Sequence, residues 1–133
     1  MILLDTHVLV WWLAEPAKIP SRATRAIAAA VRDKEPIGVS SISIWEIAML
    51  VERGRLAFTM DLDAWLTRVE SLPFFQFLPV DNHVAIQSVR LEDFPHRDPA
   101  DRIIVATAIS HGAELLTGDT TLQKYSGVKT VWG

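Results

Sequence analysis

At 133 residues, half of them hydrophobic and 22% charged, the chain is sized for one domain that buries about two-thirds of its unfolded surface. Cysteine is absent, which excludes disulfides and zinc–thiolate centres. Thirteen Lys and Arg against sixteen Asp and Glu leave a net charge of −3, without the basic footprint of a dedicated duplex-DNA binder.

In chain order, Ile2–Leu4 is expected as a buried strand ending at Asp5, and Val8–Ala14 as a short helix stopped by Pro16. Ser21–Arg32 reads as a helix with Ser21 at its N-cap and alanines on its packing face. Pro36–Val39 is a second strand, and Ser40-Ser41 starts a helix that runs through Glu52 and stops at Gly54. Asp61–Leu72 is amphipathic and ended by Pro73; Phe74–Leu78 is a strand and Asp81–Leu91 a helix. Pro99, after Asp98, opens a long helix to His111 that Gly112 closes. Glu114–Leu116, Asp119–Lys124 and Val128–Val131 complete the series as strand, short helix and strand. Short apolar strands separated by helices, with no tight hairpin signal, imply a three-layer α/β/α fold around a small parallel sheet. In such sheets ligands sit beyond the carboxyl ends of the strands.

The opening MILLDTHVLVWWLAEP lacks a basic n-region. Asp5 and His7 break its apolar run far short of the roughly 20 residues of a membrane span. A soluble, cytoplasmic protein is expected. Basic residues cluster at Lys18, Arg22, Arg25, Arg32 and Lys34, and again at Arg53 and Arg55. If the acids hold divalent cations, net charge understates affinity for a polyanion.

Acids recur where the fold would place a ligand. Asp5 follows the first strand, and Asp119 lies just past Leu116, across Thr117-Gly118. Glu46 sits on the early turns of the helix after Val39, and Asp98 and Asp101 open the helix before Glu114–Leu116. Taken singly, Asp98, Asp119 and Asp81 are good helix caps, and Asp101 would complete a capping box. Asp5 has no helix that clearly depends on it, and Glu46 lies between Trp45 and Ile47, where an unpaired carboxylate is expensive to bury. Carboxylates converging on one sheet edge repel unless cations or protons intervene. Without cysteine or a spaced histidine pair, an oxygen cluster suits Mg²⁺ or Mn²⁺.

The succession LLDTHVLVWWL, SSISIWEIA, HRDPADRIIVATA and LLTGDTTL resembles the PIN domain, in particular the VapC-type toxins of bacterial toxin–antitoxin pairs. The likeness spans essentially the whole chain. It implies a metal-dependent endoribonuclease acting on RNA, paired with a cognate antitoxin. Carried over residue by residue, the acidic site becomes Asp5, Glu46, Asp101 and Asp119, with Thr6 and Thr117 as polar support. Asp98 corresponds to a position that recurs in the DPxD subgroup. Phosphodiester hydrolysis fits these residues: Mg²⁺ or Mn²⁺ held by Asp5, Asp101 and Asp119 activates a water and compensates charge without a histidine base. Glu46 either binds a second metal or orients that water.

The remaining side chains have two readings each. Arg97 and Arg102 flank the acids as RNA-phosphate anchors or as surface ion-pair partners. His7 is a phosphate contact or a packed side chain, and His96 an RNA contact or an ordinary loop residue. His83 and His111 read as helix-surface and helix-end residues. Trp11 and Trp12 are adjacent, so one is expected to be exposed, as a homodimer or inhibitor interface would need. Two other classes share the strand-end acid. A haloacid-dehalogenase-type phosphatase needs a second acid where His7 stands. A receiver-like regulatory module needs neither Glu46 nor its surroundings, and normally has a lysine near its site.

Overall fold

A computed structural model describes all residues, Met1–Gly133. Five parallel strands form one sheet: β1 (Ile2–Leu4), β2 (Ile37–Ser40), β3 (Phe75–Leu78), β4 (Glu114–Leu116) and β5 (Thr130–Val131), in the order β3-β2-β1-β4-β5. The chain steps outward from β1 through β2 to β3, then crosses back to lay β4 and β5 on the other side. β1 and β4 therefore flank the point where strand order reverses, and a crevice opens there beyond the strand ends.

Seven helices connect the strands: α1 (Thr6–Ala14), α2 (Ser21–Arg32), α3 (Ser41–Glu52), α4 (Leu62–Glu70), α5 (Asn82–Val89), α6 (Pro99–Ser110) and α7 (Thr120–Lys124). Period-2 alternation splits the core in two. Leu4, Ile37, Val39, Leu116 and Val131 face the side covered by α1 to α4, with Val8, Leu9, Ala23, Ile27, Ile47 and Trp65 packed on them. Leu3, Leu78 and Leu115 face the other side, under Ile104, Val105 and Ala108 of α6 and Leu122 of α7. No helix is long and apolar enough to cross a membrane.

Most expected elements appear within a residue or two of their sequence boundaries, with three informative differences. α1 begins at Thr6 and Asp5 is its N-cap, so a helix does depend on that aspartate. Ser21 lies inside α2; Pro20, in extended geometry, takes the cap position and offers no side-chain acceptor. The last strand is only Thr130–Val131, because β4, its sole neighbour, pairs with it at two positions.

The expected exposed tryptophan is also elsewhere. Both Trp11 and Trp12 are half-buried: Trp12 packs on Phe74 and Phe75 at 5.3 and 5.7 Å, and Trp11 on Trp132 at 6.0 Å. Adjacent helix positions point about 100° apart; here α1 has an aromatic partner on each flank. Trp45, 55% exposed, is the tryptophan that faces solvent.

Gly38 sits in the middle of the sheet, where a Cβ would come within 3.1 Å of Leu3 Cδ1 and 3.2 Å of Leu78 Cδ1. Both side chains belong to the second core, so a larger residue has to push apart packing that positions β1. We expect Gly38→Val to lower stability by about 1–3 kcal/mol, as overpacked cores do, read from the urea midpoint at constant m-value.

Candidate active site

At the β1–β4 junction, parallel pairing continues one residue beyond the strand: the Asp5 amide donates to Leu116 O at 3.0 Å. One Asp5 oxygen then accepts from the Thr6 amide (2.8 Å) and the other from the Thr117 hydroxyl (2.7 Å). Only 4% exposed, Asp5 is fixed at both oxygens. Its capping and site-building roles coexist in one side chain.

α3 starts without a loop because Ser40 both ends β2 and caps the helix, accepting from the Ile42 amide. This brings Glu46 over the end of β1, where its Oε1 accepts from the Thr6 hydroxyl at 2.6 Å. Ser43 Oγ lies 2.9 Å from the same hydroxyl. Burial raises the pKa of Glu46; the Thr6 hydrogen bond opposes this, and the charges of Asp5 and Asp98 reinforce it.

Asp98 and Asp101 divide as cap and pocket. Asp98, exposed, accepts from the Ala100 amide at 2.9 Å, with Pro99 at the first helical position. Asp101, one turn into α6, turns to the cleft and receives no hydrogen bond. Burial first, then the charges of Asp5 and Asp98, push its pKa up to about 7, with Glu46 adding and His96 opposing.

Asp119 caps α7: its Oδ1 accepts from the Thr121 and Leu122 amides at 2.8 and 3.2 Å. Burial acts to raise its pKa, but those amides and His96 together hold it below the usual carboxylate value. Thr117 links the two strand ends, donating to Asp5 and accepting from the Asp119 amide at 3.1 Å.

Asp5, Glu46, Asp101 and Asp119 thus line one open cleft of about 480 Å³, together with Thr6, His7 and Arg55. Two features of this cleft were not specified by the sequence. His7 Nε2 accepts from the Gly118 amide at 2.8 Å, which puts the ring proton on Nδ1, 3.7 Å from Asp5. This histidine clamps the two strand-end loops together, and Gly118 has no room for a Cβ, which would meet Trp132 at 3.0 Å and His7 at 3.2 Å. Arg55, just past Gly54, is the basic side chain on the cleft wall; the Arg53/Arg55 pair was its only signal.

Of the two arginines beside the acids, Arg97 is exposed. Arg102 donates to Ser88 O at 3.1 Å and stacks 5.3 Å from the Phe94 ring. That geometry ties α6 to the end of α5.

The donor set is oxygen-rich and contains no thiol, and one of its carboxylates has no protein donor. A hard divalent cation fits such a set.

Comparison with known proteins agrees with this geometry. The PIN domain family matches residues 2–128. Ribonuclease VapC22 of Mycobacterium tuberculosis is 35% identical over 133 residues, covering 98% of each chain. The chain belongs to the PIN-domain family. Among solved structures, FitAcB from Neisseria gonorrhoeae is similar at 26% identity and TM-score 0.65, covering 98% of this chain and 96% of that one. VapBC2 from Rickettsia felis, bound to a DNA fragment from their promoter, shares the fold at TM-score 0.73 and 16% identity, covering 98% and 97%. PIN membership replaces the phosphatase and receiver alternatives.

Asp101 makes metal-free stability pH-dependent. Its native pKa of about 7 exceeds the ordinary 3.8, so the folded state binds the proton more tightly than the unfolded chain does. Its contribution therefore favours folding at low pH and is lost as pH rises through that window. In EDTA, Asp101→Asn is expected to melt with wild type near pH 4 and above it at pH 8. Parallel melting curves across that range would contradict the assignment.

Proposed function

We propose that this chain is a metal-dependent endoribonuclease that hydrolyses RNA phosphodiester bonds and serves as the toxin of a toxin–antitoxin pair. One observation carries the reading: Asp5, Glu46, Asp101 and Asp119, from four separate elements, converge on a single open cleft in a PIN-family chain. A name and a fold alone would not reach this far; the placement of the acids supports it.

Asp5, Asp101 and Asp119 would hold the divalent cation, Mg²⁺ or Mn²⁺. When bound, the cation supplies charge compensation on the phosphate and makes a water nucleophilic near neutral pH. The protein's own part is preorganisation. The Thr6 amide and Thr117 hydroxyl fix Asp5, the α7 amides fix Asp119, and Asp101 faces the cleft without a protein donor. The Thr6 hydroxyl holds one oxygen of Glu46 and leaves the second to orient the attacking water or to bind a further ion. Asp98 supports the site by starting α6 in register. Arg55, on the cleft wall, and the exposed Arg97 would contact the RNA backbone, where phosphate contacts set affinity without reading bases.

An antitoxin partner is supported by an apolar groove of about 490 Å³, lined by Leu13, Phe58, Met60, Trp65 and Leu72. It shares Val10 with the acidic cleft. A partner segment lying there can extend a basic side chain among the carboxylates. Solved relatives include a toxin–antitoxin complex from Klebsiella pneumoniae. For a homodimer the exposed apolar residues are Trp45 on α3 and Ile86 and Val89 on α5, the last two one helical turn apart at 50% and 79% exposure. A toxin acting on the RNA of its own cell would work in the cytoplasm.

Two purified variants test the site. Asp101→Asn should abolish chelator-sensitive cleavage of a mixed RNA substrate and the thermal stabilisation by millimolar Mn²⁺. Asp98→Ala should retain both and lose about 1 kcal/mol of stability with its cap. An Asp101→Asn protein that cleaves like wild type beside a stable but inactive Asp98→Ala protein would reverse the two assignments.

The partner is tested by co-expression with the neighbouring open reading frame. Relief of growth arrest and a co-purifying complex are expected. A Leu13→Glu substitution at the exposed edge of the groove should weaken that complex while leaving RNA cleavage in place.

A further inference from the structure

His96 stands outside the set of four carboxylates. It lies in the loop between α5 and α6, two residues before the cap Asp98, with its side chain 25% exposed. Its Nε2 sits 3.1 Å from Asp119 Oδ2. Both α7 amides are taken by the other oxygen, Oδ1, so Oδ2 is the Asp119 atom free to bind something else.

The ring is held by its surroundings. Phe94 meets it edge-on, with centroids 6.1 Å apart and planes at 86°. Phe94 is itself wedged between the Tyr125 ring at 5.1 Å and the Arg102 guanidinium at 5.3 Å. The Tyr125 hydroxyl then donates to Glu92 O at 2.9 Å, closing the loop onto the end of α7. A surface loop with this much support for one imidazole is built to place it.

One ligand atom from each of His96, Asp101 and Asp119 lies within 4.8 Å of the others. With bonds of about 2.1 Å, adjacent ligand atoms of an octahedral ion stand about 3.0 Å apart and opposite ones about 4.2 Å. The His96–Asp119 separation of 3.1 Å already suits adjacent positions. Separations of at most 4.8 Å need up to about 0.6 Å of closure for opposite positions and up to about 1.8 Å for adjacent ones.

We propose that His96 Nε2 is a metal ligand, sharing a cation with Asp101 and Asp119 and biasing the nuclease towards first-row transition ions over Mg²⁺. The inference rests on the metal-dependent nuclease reading and deepens it. An imidazole nitrogen in place of an oxygen strengthens binding along the series Mn²⁺, Fe²⁺, Co²⁺ and adds little for Mg²⁺, which favours oxygen and keeps its waters. The competing role is a hydrogen-bond donor that only orients Asp119, as outer partners of metal ligands commonly do.

Metal-free wild type, His96→Ala and His96→Asp would be titrated calorimetrically with Mg²⁺, Mn²⁺ and Co²⁺. The Mn²⁺ forms would be examined by pulsed electron paramagnetic resonance with ¹⁴N- and ¹⁵N-histidine labelling. A ligand role predicts histidine nitrogen coupling in wild type that His96→Ala abolishes. It also predicts a fall in the Mn²⁺-over-Mg²⁺ affinity ratio on the order of tenfold in that variant. His96→Asp, which offers an oxygen ligand, should bind Mg²⁺ at least as well as wild type does and lose the Mn²⁺ preference. An orienting role predicts the reverse: no histidine coupling and an unchanged Mn²⁺-over-Mg²⁺ ratio in both variants. That result overturns the inference and leaves the nuclease reading standing. Wild type that binds no divalent ion overturns both.

Discussion

The site depends on β1 and β4 lying side by side. Their parallel pairing extends past the regular strands through the Asp5 amide and Leu116 O, and that one added hydrogen bond sets two chain reversals next to each other. From it follow the Thr117 hydroxyl on Asp5, the His7 ring on the Gly118 amide and the start of α7 at Asp119. They come from two stretches, Asp5–His7 and Thr117–Asp119, separated by more than a hundred residues, and strand order brings the two together. Residues 5 and 117 are neighbours because the chain lays β4 beside β1 only after it has already placed β2 and β3 on the opposite side.

Helix caps supply most of the site's precision. Asp5, Asp98 and Asp119 each hold the first turn of a helix with a carboxylate oxygen. A cap constrains the side chain as firmly as it constrains the backbone, so a carboxylate fixed this way reaches a cation with little further ordering. Asp101 is different. It has no capping bond, and burial among like charges makes its ionised form unfavourable until a cation arrives. Glu46, partly relieved by its Thr6 hydrogen bond, shares that unfavourable burial, so the metal-free site carries its charge cost at these two residues.

Sequence patterns exposed what is local and hid what is tertiary. Strand ends, the Asp98 cap with Pro99, the Asp119 cap and the Glu46 position could all be read from apolar periodicity and cap chemistry. The start of α1 at Thr6 could not, because Asp5 closes the apolar strand run and the β-branched Thr6, Val8 and Val10 that follow give little helical signal. Trp11 and Trp12 looked like a core residue and a surface residue. Both are covered because Phe74, Phe75 and Trp132, remote in sequence, arrive on opposite flanks of α1. Arg102 looked free for the same reason: its partners, the Ser88 carbonyl and Phe94, come from the end of α5 and the following loop. His96 gave least notice, since its place beside Asp119 depends on how that loop closes over Tyr125.

On the proposed reading, three kinds of cation can answer the same deficit. A proton can neutralise Asp101, a divalent ion can bind Asp5, Asp101 and Asp119 together, or a basic side chain can enter from the apolar groove that meets the cleft at Val10. Each relieves the carboxylate repulsion that draws in the others, so occupancy by one reduces affinity for the rest. Linkage makes this reciprocal: a partner that displaces the metal is itself displaced by excess metal, by the same factor. Inhibition then requires no change of fold. The groove supplies apolar area for affinity, and the acidic cluster supplies a charge that only a correctly seated basic group can satisfy.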